Sequence, residues 1–171
     1  MARQHSHNSS PFSEKKFPIV VLCDGIKSPA NIGGLFRVGD AFGIEEIIFF
    51  NAEIDLKSTR LKRTARETQN TVKYTIGDSL ETSLANFRQL DYTLIGIEIT
   101  EKSTAIHEFR VPPSTKVVLV LGNERHGISE EIIDKLDHCH HIEMYGANSS
   151  MNVIQAASIG LYVITSQLRN E

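Results

Sequence analysis

The run Val117-Val-Leu-Val-Leu-Gly-Asn-Glu-Arg-His-Gly127 limits the fold more than any other part of the chain. Five successive aliphatic residues with no polar alternation read as a strand covered on both faces. The strand opens directly into a polar loop bounded by glycines. Further apolar runs cover 17–24, 46–51, 72–76, 92–99 and 139–144. Helical patterns lie between them: 30–42, preceded by Pro29 and ended by Gly43, then 78–89 capped by Asp78, 129–136 capped by Ser129, and 151–167. Residues 56–68 are polar and read as a short helix and loop. Strands alternating with helices imply an α/β protein whose mostly parallel sheet carries helices on both faces.

A length of 171 residues fits one domain that can bury a core without disulfides or metal. Residues 1–16 are polar and read as a flexible N-terminal arm, which leaves 17–171 as a single domain. The net charge is −3, so any contact with nucleic acid has to come from a local patch. Lys57, Arg60, Lys62, Arg63 and Arg66 form the densest cluster of cations. It is a candidate for phosphate contact, and a solvated charged face is the alternative. Cys23 and Cys139 form no paired motif, which suits a reducing compartment. No run is apolar enough to span a bilayer, and the N-terminus lacks the apolar core of a secretory signal, so a cytoplasmic location is expected. His138, Cys139, His140 and His141 look like metal ligands. A strand would send alternate members to opposite faces, and the spacing fits no common zinc site, so no metal is expected.

Two more segments have the form of a polar turn leading into a helix. One is Asn31-Ile-Gly-Gly-Leu-Phe-Arg37-Val-Gly-Asp-Ala-Phe-Gly43, and the other is Asn148-Ser-Ser-Met-Asn-Val-Ile-Gln-Ala-Ala157. Side chains such as Ser150 and Asn152 beside the N-terminal amides of an apolar helix suit the binding of a ligand. Taken singly these residues have plainer roles. Asn31, Ser150 and Asn152 are good helix caps, Glu124 is an ordinary loop acid, and Arg37 can pair with Asp40 or Glu45 on a helix face.

Together, in this order, the three segments resemble the SpoU/TrmH family of the SPOUT class, RNA ribose 2′-O-methyltransferases. Asn31, Gly33, Arg37, Phe42 and Gly43 match its first motif. Gly122, Asn123, Glu124 and Gly127 match the second. Ile142, Met144, Gly146, Ser150, Asn152, Val153, Ala156 and Ala157 match the third. The resemblance runs from about Phe17 to about Gln167. It departs at Glu143, where the family has Pro, at Met151, where it has Leu, and at Gln155, usually small or apolar.

The resemblance implies a deep C-terminal trefoil knot, against the general rarity of knots, and Gly122, Gly127 and Gly146 fit tight backbone crossings. It implies S-adenosylmethionine as cofactor, held by Leu121, Gly122, Asn123, Ile142, Met144, Ser150 and Met151. It assigns catalysis to Arg37, Asn31, Glu124, Ser150 and Asn152 and sets Arg37 beside the RNA; the five cations of the cluster and Arg125, which makes the second loop more basic than in many relatives, are the other candidates for RNA contact by their charge. It also implies a homodimer through the last helix, whose apolar residues wrap most of its circumference. The expected activity is methyl transfer to a ribose 2′-hydroxyl of RNA, tRNA before ribosomal RNA. A non-catalytic RNA-binding protein with a relict pocket is the alternative. Another kind of nucleotide-binding enzyme is disfavoured, because the chain lacks both Gly-x-Gly-x-x-Gly and a P-loop lysine motif.

Overall fold

A computed structural model describes residues 13–169 other than 113 and 149. Among these residues, seven parallel strands form one sheet, and five α-helices cover it. In chain order they are β1 (Ile19–Asp24), α1 (Pro29–Ala41), β2 (Glu46–Phe50), α2 (Thr59–Ala65), β3 (Tyr74–Ile76), α3 (Leu80–Gln89), β4 (Tyr92–Ile97), β5 (Thr104–Ala105), β6 (Lys116–Leu121), α4 (Glu130–Ile133), β7 (His138–His141) and α5 (Val153–Leu168). The strand order is β3-β2-β1-β6-β4-β7-β5, and every pairing is parallel. Residues 1–12, most of the expected arm, lie outside the described residues. The rest of that arm reaches the domain, with Lys16 Nζ donating to the Ile44 carbonyl at 3.0 Å.

The central strands are apolar at every position because both faces are covered. Ile19, Val21, Cys23, Leu119 and Leu121 pack beneath α1 and α5. The alternate residues Val20, Leu22, Val118 and Val120 pack beneath α3 and α4, against Leu80, Leu84, Ile128 and Ile132. Each fully buried aliphatic side chain contributes about 1.5–3 kcal/mol by leaving water, so these two layers fix where the strand ends lie. Gly33 lets α1 and α2 touch, since a Cβ there would run into the Leu61 carbonyl and the Thr64 hydroxyl.

Several boundaries differ from the sequence pattern. α3 is capped by Ser79, whose Oγ accepts from Thr82 N at 3.2 Å, and not by Asp78, because the helix begins one residue later. α4 stops at Ile133, and Lys135 N and Leu136 N bond three residues back, which tightens the chain before it enters β7. Ser129 stands at its N-terminus but makes no side-chain cap. α5 starts at Val153 with Asn152 as its cap, whereas Ser150 makes no such bond. β7 ends at His141, three residues early, and leaves the backbone of 142–144 unpaired in the sheet. β5, two residues long, carries no periodicity to detect. Gly146 has open space around it and marks no tight crossing. Among the described residues, no helix is long and apolar enough to cross a membrane.

Candidate functional site

The C-terminal ends of β4, β6 and β7 face the N-terminus of α5, and a cavity of about 420 Å³ lies between them. Ligands of open parallel sheets bind at this end of the strands. Asn31, Glu124, Ser150 and Asn152 line it, as do all seven residues assigned to the cofactor: Leu121, Gly122, Asn123, Ile142, Met144, Ser150 and Met151. The sequence reading missed Ile97, Glu98 and Ile99 at the end of β4, and His141; Val153 and Ala156, matched to the third motif but given no role, also line the cavity. The position of β4 in a parallel sheet was the available signal for the first three.

One chain of hydrogen bonds ties the three motif segments together. Asn152 Oδ1 accepts from Ile154 N at 2.8 Å, and its Nδ2 donates to Asn31 Oδ1 at 3.1 Å. Asn31 Nδ2 then donates to Glu124 Oε1 at 3.0 Å. Glu124 also accepts from Ser28 N at 3.1 Å and Lys27 N at 3.4 Å. Both amide side chains are used at both ends, and the chain ends on a carboxylate that needs donors. The helix-cap role of Asn152 and its place in the site coexist in this way. Asn31 instead serves the site: Ser28 occupies the N-cap position of α1.

The 122–128 loop is tightly closed. Asn123 N donates to the Gly127 carbonyl at 3.0 Å, and Gly127 N to the Asn123 carbonyl at 2.9 Å. Asn123 Nδ2 reaches across to the Gly25 carbonyl at 2.6 Å. Gly122 lies against the backbone of Gly127 and Ile128 so closely that no Cβ would fit. Cys23 is fully buried beneath this loop, and burial, followed by the charge of Glu124, raises its thiol pKa far above the usual range.

Arg37 stands apart. It is exposed, does not line the cavity, and forms no hydrogen bond or ion pair with the described residues. The suggested partners are engaged elsewhere: Asp40 accepts from Thr71 Oγ1 at 3.2 Å, and Glu45 from the Tyr92 hydroxyl at 3.1 Å. Arg37 lies one helical turn beyond Gly33, and so on the side of α1 that meets α2. There Lys57, Arg60, Lys62, Arg63 and Arg66 are exposed and form no ion pairs among the described residues. Three cations elsewhere do meet carboxylates: Lys73–Glu46 at 2.9 Å, Arg88–Asp137 at 2.7 Å and Lys135–Glu81 at 2.6 Å. Arg125 lies on the rim of the cavity.

The histidine run divides as a strand requires. His138 and His140 stack on one face, 5.8 Å apart, and both pack on Phe109. His141 Nδ1 pairs with Ser103 Oγ at 3.0 Å, and Cys139 Sγ donates to the Glu98 carbonyl at 3.6 Å. Among the described residues no three His, Cys, Asp or Glu side chains are grouped to hold a metal ion.

The model of the SpoU rRNA methylase family matches residues 18–162, which include all three cavity loops. The chain belongs to this family. It is 30% identical over 151 residues to the tRNA (guanosine(18)-2′-O)-methyltransferase TARBP1 of Mus musculus, covering 87% of this chain and 9% of that protein. It is 28% identical over 147 residues to the tRNA (guanosine(18)-2′-O)-methyltransferase of Aquifex aeolicus, covering 84% of this chain and 67% of that one. It therefore spans a small part of the mouse relative and two thirds of the Aquifex one. The crystal structure of an AdoMet-bound rRNA methyltransferase from Sinorhizobium meliloti superposes with a TM-score of 0.81 at 22% identity, over 92% of this chain and 59% of that one. At that identity the likeness concerns the fold.

Within this family member, Glu124 carries a pH signature. Partial burial alone would push its carboxyl up, but the donors Asn31, Ser28 and Lys27 outweigh burial and hold it below the usual range. A lowered folded-state value means that the stabilisation is present above the ordinary glutamate range and is lost as pH falls through the lowered value. Glu124→Gln is expected to lower stability near pH 7 by at most about 1 kcal/mol, because the carboxylate is exposed. In urea titrations the gap to wild type should narrow as pH falls below the ordinary glutamate range. A gap of the same size above and below that range would contradict this.

Proposed function

We propose that this chain transfers a methyl group from S-adenosylmethionine to a ribose 2′-hydroxyl of RNA. The observation that carries the proposal is the cavity where the three motif segments meet, joined by Asn152, Asn31 and Glu124. The lining fits such a cofactor. Leu121, Ile142, Met144 and Met151 offer apolar walls for an adenine face. Gly122 and the unpaired backbone of 142–144 offer amides and carbonyls at close range. When bound, the cofactor supplies a methyl on a positively charged sulfur, and the transfer needs no metal.

The protein's own task is positioning and electrostatics. Asn31 and Asn152 hold the α1 and α5 entrances at a fixed separation, and Ser150 faces the cavity from the third loop. Arg37 contacts the substrate and not the cofactor, since it lies outside the cavity. A guanidinium holds its proton too tightly to act as a base. It clamps the phosphate next to the target ribose and stabilises the negative charge that develops on the 2′-oxygen as its proton passes to water and the methyl leaves the sulfur. The unpaired cations of 57–66, with Arg125, carry the RNA backbone toward it.

Two structural elements complete the proposal. The family's trefoil knot is formed by the C-terminal part, roughly the second and third motifs, and the meeting of both motifs at the cavity supports it. Pulling the chain from both ends should leave a tightened knot and an extension short of the full contour length, and complete extension would remove the knot from the account. A homodimer covers the outer side of α5, where Ile159 and Tyr162 are exposed, Tyr162 at 66%. Sedimentation as a dimer is expected, and a monomer at every concentration would contradict it. The unpaired thiols Cys23 and Cys139 support a cytoplasmic location.

The RNA is tRNA on the strength of the mouse and Aquifex relatives. The test is transfer of labelled methyl from S-adenosylmethionine into total RNA from cells lacking this protein. Wild type should label one size class, at a nucleotide whose 3′ linkage then resists alkali. Arg37→Ala and Arg37→Lys should each lose at least about a hundredfold in rate while still binding cofactor. Label in ribosomal RNA would move the substrate, and no label from a folded, cofactor-binding wild type would overturn the enzyme reading.

A further inference from the structure

We infer that Glu98 is a positioning residue that sets the floor of the cofactor cavity, a role that rests on the methyltransferase reading above. The outgoing limb of the 122–128 loop is held by Asn123 and Glu124, which bond to the segment before α1. The returning limb is held differently. Glu98 Oε2 accepts from Ile128 N at 2.9 Å, and Glu98 Oε1 accepts from Ile99 N at 3.0 Å. One carboxylate therefore joins the end of β4 to the far side of the β6 loop.

Three features make this a fixed clamp. Glu98 N donates to the His140 carbonyl at 2.9 Å, and its own carbonyl receives the Cys139 thiol, so its backbone is held against β7. Gly127 adopts φ +65°, and a Cβ there would collide with the Glu98 carboxylate. A side chain at 127 would thus cost both backbone strain and the clamp. Gly122 in turn rests on the backbone of Gly127 and Ile128. Glu98 thereby fixes the limb against which Gly122, a cofactor-lining residue, is packed. Glu98 itself lines the cavity, but Arg37, Asn31 and Asn152 make no bond to it. Loss of the clamp should loosen the cofactor's seat and leave the groups that act on RNA in place.

The experiment compares wild type, Glu98→Gln and Glu98→Ala. Gln keeps the size and one acceptor oxygen but turns an NH2 toward one of the two amides. Calorimetric titration with S-adenosylmethionine should show the dissociation constant rising about tenfold in Glu98→Gln and further in Glu98→Ala, the scale of lost bonds to a charged group. The rate at saturating cofactor should stay within about twofold of wild type, since removing binding that is uniform along the reaction raises KM alone. Hydrogen exchange on the cofactor-free proteins should show the Ile128 amide losing protection while the amides of β6 keep theirs. Unchanged affinity in both variants would overturn the inference and leave the methyltransferase reading standing. So would a uniform loss of protection through β6, which marks a general fold support. Failure of wild type itself to bind S-adenosylmethionine would overturn the reading and the inference together.

Discussion

Glu124 is a loop acid whose carboxylate collects donors from a segment almost a hundred residues earlier in the chain. Lys27, Ser28 and Asn31 all point N–H groups at it, and Asn31 passes the connection to Asn152 at the head of α5. The β6 loop, the start of α1 and the start of α5 are thereby held as one object. Without it the head of α5 would lose its side-chain bond to the other two segments, which Asn123 and the Gly25 carbonyl would still join.

The sheet provides those roots. Parallel strands covered on both faces need apolar residues at every position, and the aliphatic burial below the site allows polar groups to crowd its upper edge. The β6 strand shows both demands in five residues and a turn: aliphatic residues to Leu121, then Gly122, where the chain touches itself. Polar satisfaction at the edge is nearly complete. Asn31, Asn123 and Asn152 each use both ends of the amide in fixed bonds. This preorganises the cavity before any ligand arrives. The cations on α1 and α2 have the opposite character. Among the described residues they form no ion pair, whereas Lys73, Arg88 and Lys135 each meet a carboxylate.

Much of this was legible in the sequence, and the failures have local causes. β6 was read to the residue because an unbroken aliphatic run has sharp ends. The motif segments were read because Gly, Asn and Glu at strand ends do not suit a core. β7 was extended too far, to Met144, since its last apolar residues line a cavity instead of pairing. α4 was extended too far because Lys135 and Leu136 continue a helical pattern that three-residue turns interrupt. Glu98 was missed because its function depends on Ile128, thirty residues away, and on the missing side chain of Gly127. Arg37 lies outside the cavity, so the role proposed for it is toward the RNA and not the cofactor.

The junction can be tested by one isosteric change. Asn31→Asp keeps the size of the side chain and its acceptor toward Asn152, but sets a second carboxylate against Glu124. Calorimetric titration with S-adenosylmethionine should show wild type binding with one site per chain. The variant, still folded, should bind at least about tenfold more weakly near pH 7 and recover in part near pH 5, where the two carboxylates can share a proton. Equal affinity for wild type and variant at both pH values would contradict the claim that the Glu124–Asn31–Asn152 junction shapes the site.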